Sequence, residues 1–324
     1  MIQRGPGLTF VEATAVQPEG RITPEDSGLW KDSQMVPLRK VVEFAHSQNQ
    51  KIGIQLSHAG RKASTVAPWL SKGDVAPKEL NGWPDNVYGP SAIPYNDRHC
   101  MPKEMTIGDI KNFKIAFMNA IERAIKVGFD TVEIHNGHGY LLHSFLSPAS
   151  NKRLDEYGGS FENRTRLTIE VVELARRIMP KNMPLFLRIS ATDWLEEAGI
   201  EGWTIDQTVK LAGILADKGV DLLDVTSAGL HEKQHIHSGP GYQEPFAKAV
   251  KDKVGDKIHV GTVGFITNGK QANSYLEDDN LDMAFIGRMF QKNPGIVWQF
   301  AEELGVEVQW AKQIRWGFGG RGKK

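Results

Sequence analysis

Seven short apolar runs, spread along the chain and separated by amphipathic stretches, constrain the fold more than any other feature. They are "LTFVEAT" from Leu8, "KIGIQL" from Lys51, "TVEIH" from Thr131, "LFLRIS" from Leu185, "LLDVTS" from Leu222, "IHVGTV" from Ile258 and "DMAFIG" from Asp282. Each is nearly continuous in hydrophobicity, as parallel strands covered on both faces are. The stretches between them have a helical period. From Ile107, apolar residues fall at Ile110, Phe113, Phe117, Ala120, Ile121 and Ala124, with Thr106 placed to cap that helix and Gly128 to end it. Thr204 caps the next clear helix, which ends at Gly219. Both helices enter their next strand through the same kind of join, "GFDTVEI" and "GVDLLDV". A repeated strand–helix order predicts a parallel sheet with helices outside it.

Such a sheet is either open and doubly wound or closed as a barrel. No G-x-G-x-x-G follows any of the runs, which removes support for a dinucleotide-binding open sheet. Polar residues stand instead at the ends of several different strands: Gln55, His135, Arg188, Ser227 and Arg288. A (β/α)8 barrel builds its site this way, at the C-terminal rim. The predicted fold class is therefore α/β, a (β/α)8 TIM barrel formed by residues 1–324 as one domain. The barrel is expected to be incomplete, because only seven strands can be counted and one strand–helix unit is missing. The connection from Gly60 to Thr106, rich in Pro, Gly, Trp and Tyr, is unusually long and is placed over the rim.

Composition excludes several functions. Lys+Arg and Asp+Glu both number 39, so no bulk field draws nucleic acid or anionic lipid, and the basic "GGRGKK" end reads as a frayed tail. No apolar run approaches the ~20 residues of a membrane span, and "MIQRGPGLTF" has no apolar segment of signal-peptide length. The one cysteine, Cys100, fits a reducing, cytoplasmic compartment and an inert thiol.

Two glycine-bearing loops suit a phosphate. "HVGTVGFITNG" puts Gly261 and Gly264 just past one strand, and "AFIGRMFQKNP" puts Gly287 and Arg288 at the end of the last. Glycine lets backbone N–H groups approach an anion, and an arginine can clamp its oxygens; tight turning alone is the alternative reading. "EIHNGHGY" sets His135 and His138 three residues apart, with Tyr140 beside them. They can be ordinary histidines or a metal pair, although no third and fourth ligand is evident and His231, His235 and His237 lie in what reads as a solvated turn. Alternatively, two imidazole N–H donors converge on one oxygen while Tyr140 delivers a proton. Arg188 inside a strand is a cation beside a cofactor that becomes negative on reduction, or one half of a salt bridge across the barrel. Gln55 offers one donor and one acceptor to a planar heterocycle with an imide edge, or is a buried amide satisfied by backbone. Together these parts suggest an organic, phosphate-bearing cofactor with a polar ring system.

"VEATAVQPEGRI", "KIGIQLSHAGRK", "EIHNGHGYLLHSFLSPASNKRLDEYGGSFENR", "LFLRISATDW" and "FIGRMFQKNP" together resemble the Old Yellow Enzyme family of FMN-dependent ene reductases, also described as NADH:flavin oxidoreductases or NADPH dehydrogenases. The form "QLSHAGRK" and the paired histidines look closest to its thermophilic-like branch. The resemblance implies FMN as cofactor and NADPH or NADH as reductant. It implies a small enone-type acceptor that takes hydride from flavin N5 in a ping-pong cycle. Ala13 would lie near the flavin, Gln55 at its pyrimidine edge and Arg188 near N1 and O2. Gly264, Gly287 and Arg288 would bind the phosphate, His135 and His138 the acceptor oxygen, and Tyr140 would donate the proton. Ser160 would cap the helix after "DEYGGSFENR" and Arg153 would pair with Asp155, as scaffold. Arg315 in "QIRWGF" would reach a neighbouring subunit in a homo-oligomer, or be a plain surface arginine. Family members carry a first strand–helix unit ahead of "VEATAV", so this chain is expected to begin at strand two. The alternative this raises is an inactive member that only binds or supports other proteins.

Overall fold

A computed structural model describes residues 2–71 and 73–319. The seven runs form one parallel sheet of seven strands in sequence order: β1 (Leu8–Ala15), β2 (Lys51–Ser57), β3 (Thr131–Asn136), β4 (Leu185–Ser190), β5 (Leu222–Thr226), β6 (His259–Val263) and β7 (Met283–Phe285). The helices include α1 (Met35–Ser47), α2 (Ile107–Val127), α3 (Leu141–Leu146), α4 (Phe161–Ile178), α5 (Ile205–Asp217), α6 (Glu244–Val254), α7 (Gly269–Glu277), α8 (Arg288–Lys292) and α9 (Ile296–Leu304). The frayed-tail expectation concerns residues 319–324, of which 320–324 lie outside the described residues.

Local chemistry explains the helix ends. Thr106 accepts from the Asp109 N–H and Gly128 ends α2 at φ 103°, a left-handed conformation that glycine adopts without strain. Ser160 accepts from the Asn163 N–H at the start of α4. Arg153 pairs with Asp155 through Nε and Oδ1 at 3.0 Å. The apolar stripe of α2 is buried, with Phe113 and Phe117 at 0% and 1% exposure, so truncating either would cost about 3–5 kcal/mol.

The sheet is curled. Phe10 on β1 lies 5.7 Å from Phe186 on β4 and 6.4 Å from Phe285 on β7, ring to ring. None of these strands is a neighbour of another, so the rings meet across the interior and close its lower end. Residues two further along each strand share that inner face, whereas Ile52, Ile54, Val132, Ile134, Leu187, Ile189, Leu223 and Val225 face the helices and are fully buried. Among the described residues β1 and β7 are not hydrogen-bonded to each other, and both are mostly half-buried while β3 is buried throughout. This is the (β/α)8 architecture with one unit's width open between its edge strands.

The long connection is a packed cover. Arg61 is 1% exposed and its Nη2 donates to the Leu230 carbonyl across the rim at 2.5 Å. Cys100 is buried with Ala59, Ala63 and Val87 in a small cluster of its own, and burial pushes its thiol pKa up. No helix among the described residues is long and apolar enough to cross a membrane.

Candidate active site

The middle of the inner face is polar. In register, Gln55 lies opposite Glu133, His135 opposite Arg188, and Arg188 opposite Asp224. Gln55 Nε2 donates to Glu133 Oε1 at 2.6 Å. Arg188 Nε stands 3.2 Å from Asp224 Oδ2, close enough to pair as charges but not aligned as a hydrogen bond. Burial, and secondarily repulsion from Asp224, pushes Glu133 up to about 8 against the opposing pull of Arg188. Burial also raises Asp224. Near neutral pH Glu133 therefore keeps its proton. Glu133 Oε2 and both Asp224 carboxylate oxygens have no hydrogen-bond partner among the described residues.

The imidazoles adjoin this layer, His135 being in register with Arg188. The rings of His135 and His138 are 5.3 Å apart and nearly perpendicular, with Tyr140 5.0 Å from His135. A chain of contacts fixes their tautomers. The Val263 carbonyl takes the Gln243 Nε2 donor, so Gln243 Oε1 accepts from the hydroxyls of Thr226 and Ser227. Thr226, its proton spent, accepts from His138 Nε2 at 3.1 Å. His138 Nδ1 is then an acceptor facing His135 Nε2 at 3.5 Å, while His135 Nδ1 accepts from the Gly137 N–H. The two N–H groups thus do not converge here. His135 Nε2 carries the loosely held donor, and His138 offers one only by releasing Thr226. Burial, then the charge of Arg188, holds both imidazoles well below the usual range and hence neutral. Burial pushes Tyr140 up to about 12.

The loop carrying these residues is held tightly. A Cβ on Gly139 would lie 2.2 Å from the Gly229 carbonyl oxygen, so only glycine fits there. Lys62 Nζ donates to the carbonyls of His138 (3.0 Å) and Gly229 (2.8 Å), joining the two loops. The Gly139 N–H donates to His143 Nδ1, and His143 Nε2 lies 3.0 Å from Asp193 Oδ1, both side chains being wholly buried. Asp193 Oδ2 also accepts from Ser147 Oγ and the Trp203 N–H, both at 2.6 Å.

The loops after β6 and β7 adjoin, because Arg288 lies over the Phe265 ring at 4.7 Å. Gly264 adopts φ +116°, and nothing lies within 4 Å of where a Cβ on Gly287 would stand. Arg288 is exposed and makes no ion pair among the described residues. Gly261, expected past its strand, lies within β6, where a Cβ would strike Phe285. Ala13 sits where β1 slips register against β2, between Val11 and Thr14. It lines a cavity of about 610 Å³ shared with Lys62, Trp69, Tyr95 and Tyr140.

Gln55, His135, Arg188, His138 and Tyr140 therefore share one mouth, with Gly264, Gly287 and Arg288 on the last two loops. Arg188 faces inward and pairs with Asp224 on the neighbouring strand, not across the barrel, and Gln55 is met by a side chain rather than backbone. Glu133, Asp224, Lys62, Thr226, Gln243, His143 and Asp193 were not singled out from sequence. A charge centred in an apolar run could have flagged Glu133 and Asp224; His143 in "LLHSFL" gives no such signal. His231, His235 and His237 lie on the surface, the last donating to Glu197, and no group of three metal-capable side chains occurs among the described residues.

The residues fit a flavin mononucleotide: an open glycine–arginine cradle at the last two strand ends, a cation and an amide on the floor, and carboxyl oxygens of Glu133 and Asp224 without hydrogen-bond partners among the described residues. A curled parallel sheet so equipped belongs with the flavin-dependent barrel oxidoreductases. Comparison with known proteins narrows the class. The family model described as NADH:flavin oxidoreductase / NADH oxidase matches residues 2–307. An NADH:flavin oxidoreductase of Gibberella zeae is 55% identical over all of this chain and 80% of its own length. An NADPH dehydrogenase of Geobacillus thermodenitrificans is 41% identical over 94% of this chain and 81% of its own. The fold is shared with morphinone reductase (TM-score 0.75, 26% identity, 95% of this chain and 80% of that one). It is also shared with 2-naphthoyl-CoA reductase (TM-score 0.81, 22% identity, 93% and 45%). The chain belongs to the NADH:flavin oxidoreductase / NADH oxidase family, and is an oxidoreductase.

Proposed function

We propose that the chain reduces activated C=C bonds of enones and similar small acceptors at the expense of NADPH or NADH, the two substrates using one pocket in turn. Bound FMN supplies the hydride chemistry. The chain's residues hold and polarise. Gly264, Gly287 and Arg288 take the phosphate, Gln55 the imide edge, and Arg188 places a cation where reduction deposits negative charge. Ala13, which lines the cavity, would lie near the ring. His135 Nε2 donates to the acceptor's carbonyl oxygen, and His138 joins it by leaving Thr226. Tyr140, protonated across the working pH range, delivers a proton from the cavity wall. The observation that carries this reading is the close imidazole pair of which His135 is in register with Arg188, with Tyr140 beside it opening on the cavity.

One buried cysteine fits a reducing, cytoplasmic setting, and we propose that Arg315, which is exposed, reaches a second copy in a homo-oligomer. The test is anaerobic: FMN-loaded protein given NADPH or NADH and 2-cyclohexenone should form cyclohexanone in proportion to cofactor oxidised. NAD(P)H oxidation with oxygen alone, and no saturated ketone, would contradict the proposal.

A further inference from the structure

Glu133 has no part in the roles just assigned, yet it is 2% exposed and makes the shortest side-chain contact on the inner face, 2.6 Å to Gln55 Nε2. The two ends of a glutamine amide have nearly the same shape and opposite hydrogen-bond polarity, so a site that uses one end needs something to fix the other. We propose that Glu133 is a positioning residue for Gln55: by accepting the amide N–H it commits the carbonyl Oε1 to whatever lies above the strands, so the site selects a ring presenting an N–H there, as the imide edge of a flavin does. This rests on the flavin-binding reading of the site.

Three observations support it. Gln55 and Glu133 are register partners on adjacent strands, so backbone pairing brings their side chains together on the inner face. Gln55 Oε1 accepts no hydrogen bond among the described residues and is not sealed in, although Gln55 as a whole is only 8% exposed. Glu133 Oε1 already takes the Gln55 N–H, whereas Oε2 meets no hydrogen-bond partner among the described residues.

The test is a double-mutant cycle read by FMN affinity, from quenching of flavin fluorescence. In the Gln55 background, E133L should weaken FMN binding by about 10-fold, the worth of one oriented hydrogen bond. In the Q55L background the same change should cost no more than about 2-fold, because Glu133 acts through Gln55. E133Q, which keeps an acceptor oxygen, should stay within about 3-fold of wild type. An equal loss with and without Gln55 would overturn the inference and leave Glu133 a general structural group. Should E133L not fold, wild-type protein decides with an analogue: 3-methyl-FMN, which lacks the N3 donor, should bind at least about 10-fold more weakly than FMN. Equal affinities would overturn the inference. Wild-type protein that binds no FMN removes the flavin reading itself; binding that E133L leaves unchanged removes only the role of Glu133.

Discussion

Arg188 on β4 faces Asp224 on β5 inside the curled sheet, with Nε 3.2 Å from Oδ2 and Asp224 wholly buried. The pair keeps a cation on the floor of the mouth without leaving it uncompensated. Removing one member strands the other charge away from water. Arg188→Met should therefore destabilise the protein by about 3 kcal/mol, while Arg188→Met combined with Asp224→Leu should recover most of that loss. Urea unfolding of the two variants measures both; equal stability of the single variant and wild type would show that the pair is idle.

Glu133 makes stability fall as pH rises. Its folded pKa of about 8 lies above the unfolded carboxylate value, so between roughly pH 4.5 and 8 the folded state holds a proton that the unfolded state has released. Its stabilising contribution is complete below that window and lost on passing through it, at up to about 1.4 kcal/mol per pH unit. The buried neutral His135 and His138 act oppositely, favouring the folded state less as pH drops below about 6.5. Subtracting the urea-derived profile of Glu133→Gln from that of wild type isolates the carboxylate. A difference that stays flat from pH 5 to 8 would contradict the assignment.

Tyr140 is expected to matter for turnover and not for cofactor. With its pKa pushed up to about 12 by burial, the phenol is protonated throughout the accessible pH range. Tyr140→Phe should lower kcat for enone reduction by about 100-fold, the usual worth of a placed acid, with FMN affinity and the rate of reduction by NADPH unchanged. Rapid-mixing measurement of the two half-reactions separates them. Slowing of the NADPH half-reaction instead would assign Tyr140 to the wrong step.

Asp193 and His143 support the loop from behind. Asp193 accepts from Ser147 Oγ and the Trp203 N–H and faces His143, which in turn takes the Gly139 N–H. Asp193→Ala should cost about 2–4 kcal/mol by leaving buried donors unmet. It should also raise KM for the acceptor more than it changes FMN affinity, because the loop it steadies carries His138. Thermal melts and steady-state kinetics check the two parts.

The strands and major helices were legible because their runs are long, two-sided and cleanly capped, and the order of the sheet followed from strand–helix alternation. The rim set was legible as polar residues at the ends of apolar runs. The layer beneath it was less so. Glu133 and His135 share a face only once "TVEIH" is taken with a period of two, and Asp224 gains meaning only from Arg188, far away in sequence. The tautomer chain through Thr226 and Gln243 depends on a loop closing over β6, which no local pattern encodes. Convergence of two imidazole donors was expected; Thr226 instead holds one of them.

The proposed function requires this mouth to hold FMN, and the most direct measurement is an absorbance titration of the purified chain with FMN, followed by desalting and anaerobic addition of NADPH. The account predicts flavin bands that shift on mixing, stay with the protein through the column and bleach with NADPH. Flavin that elutes free with an unshifted spectrum would contradict it.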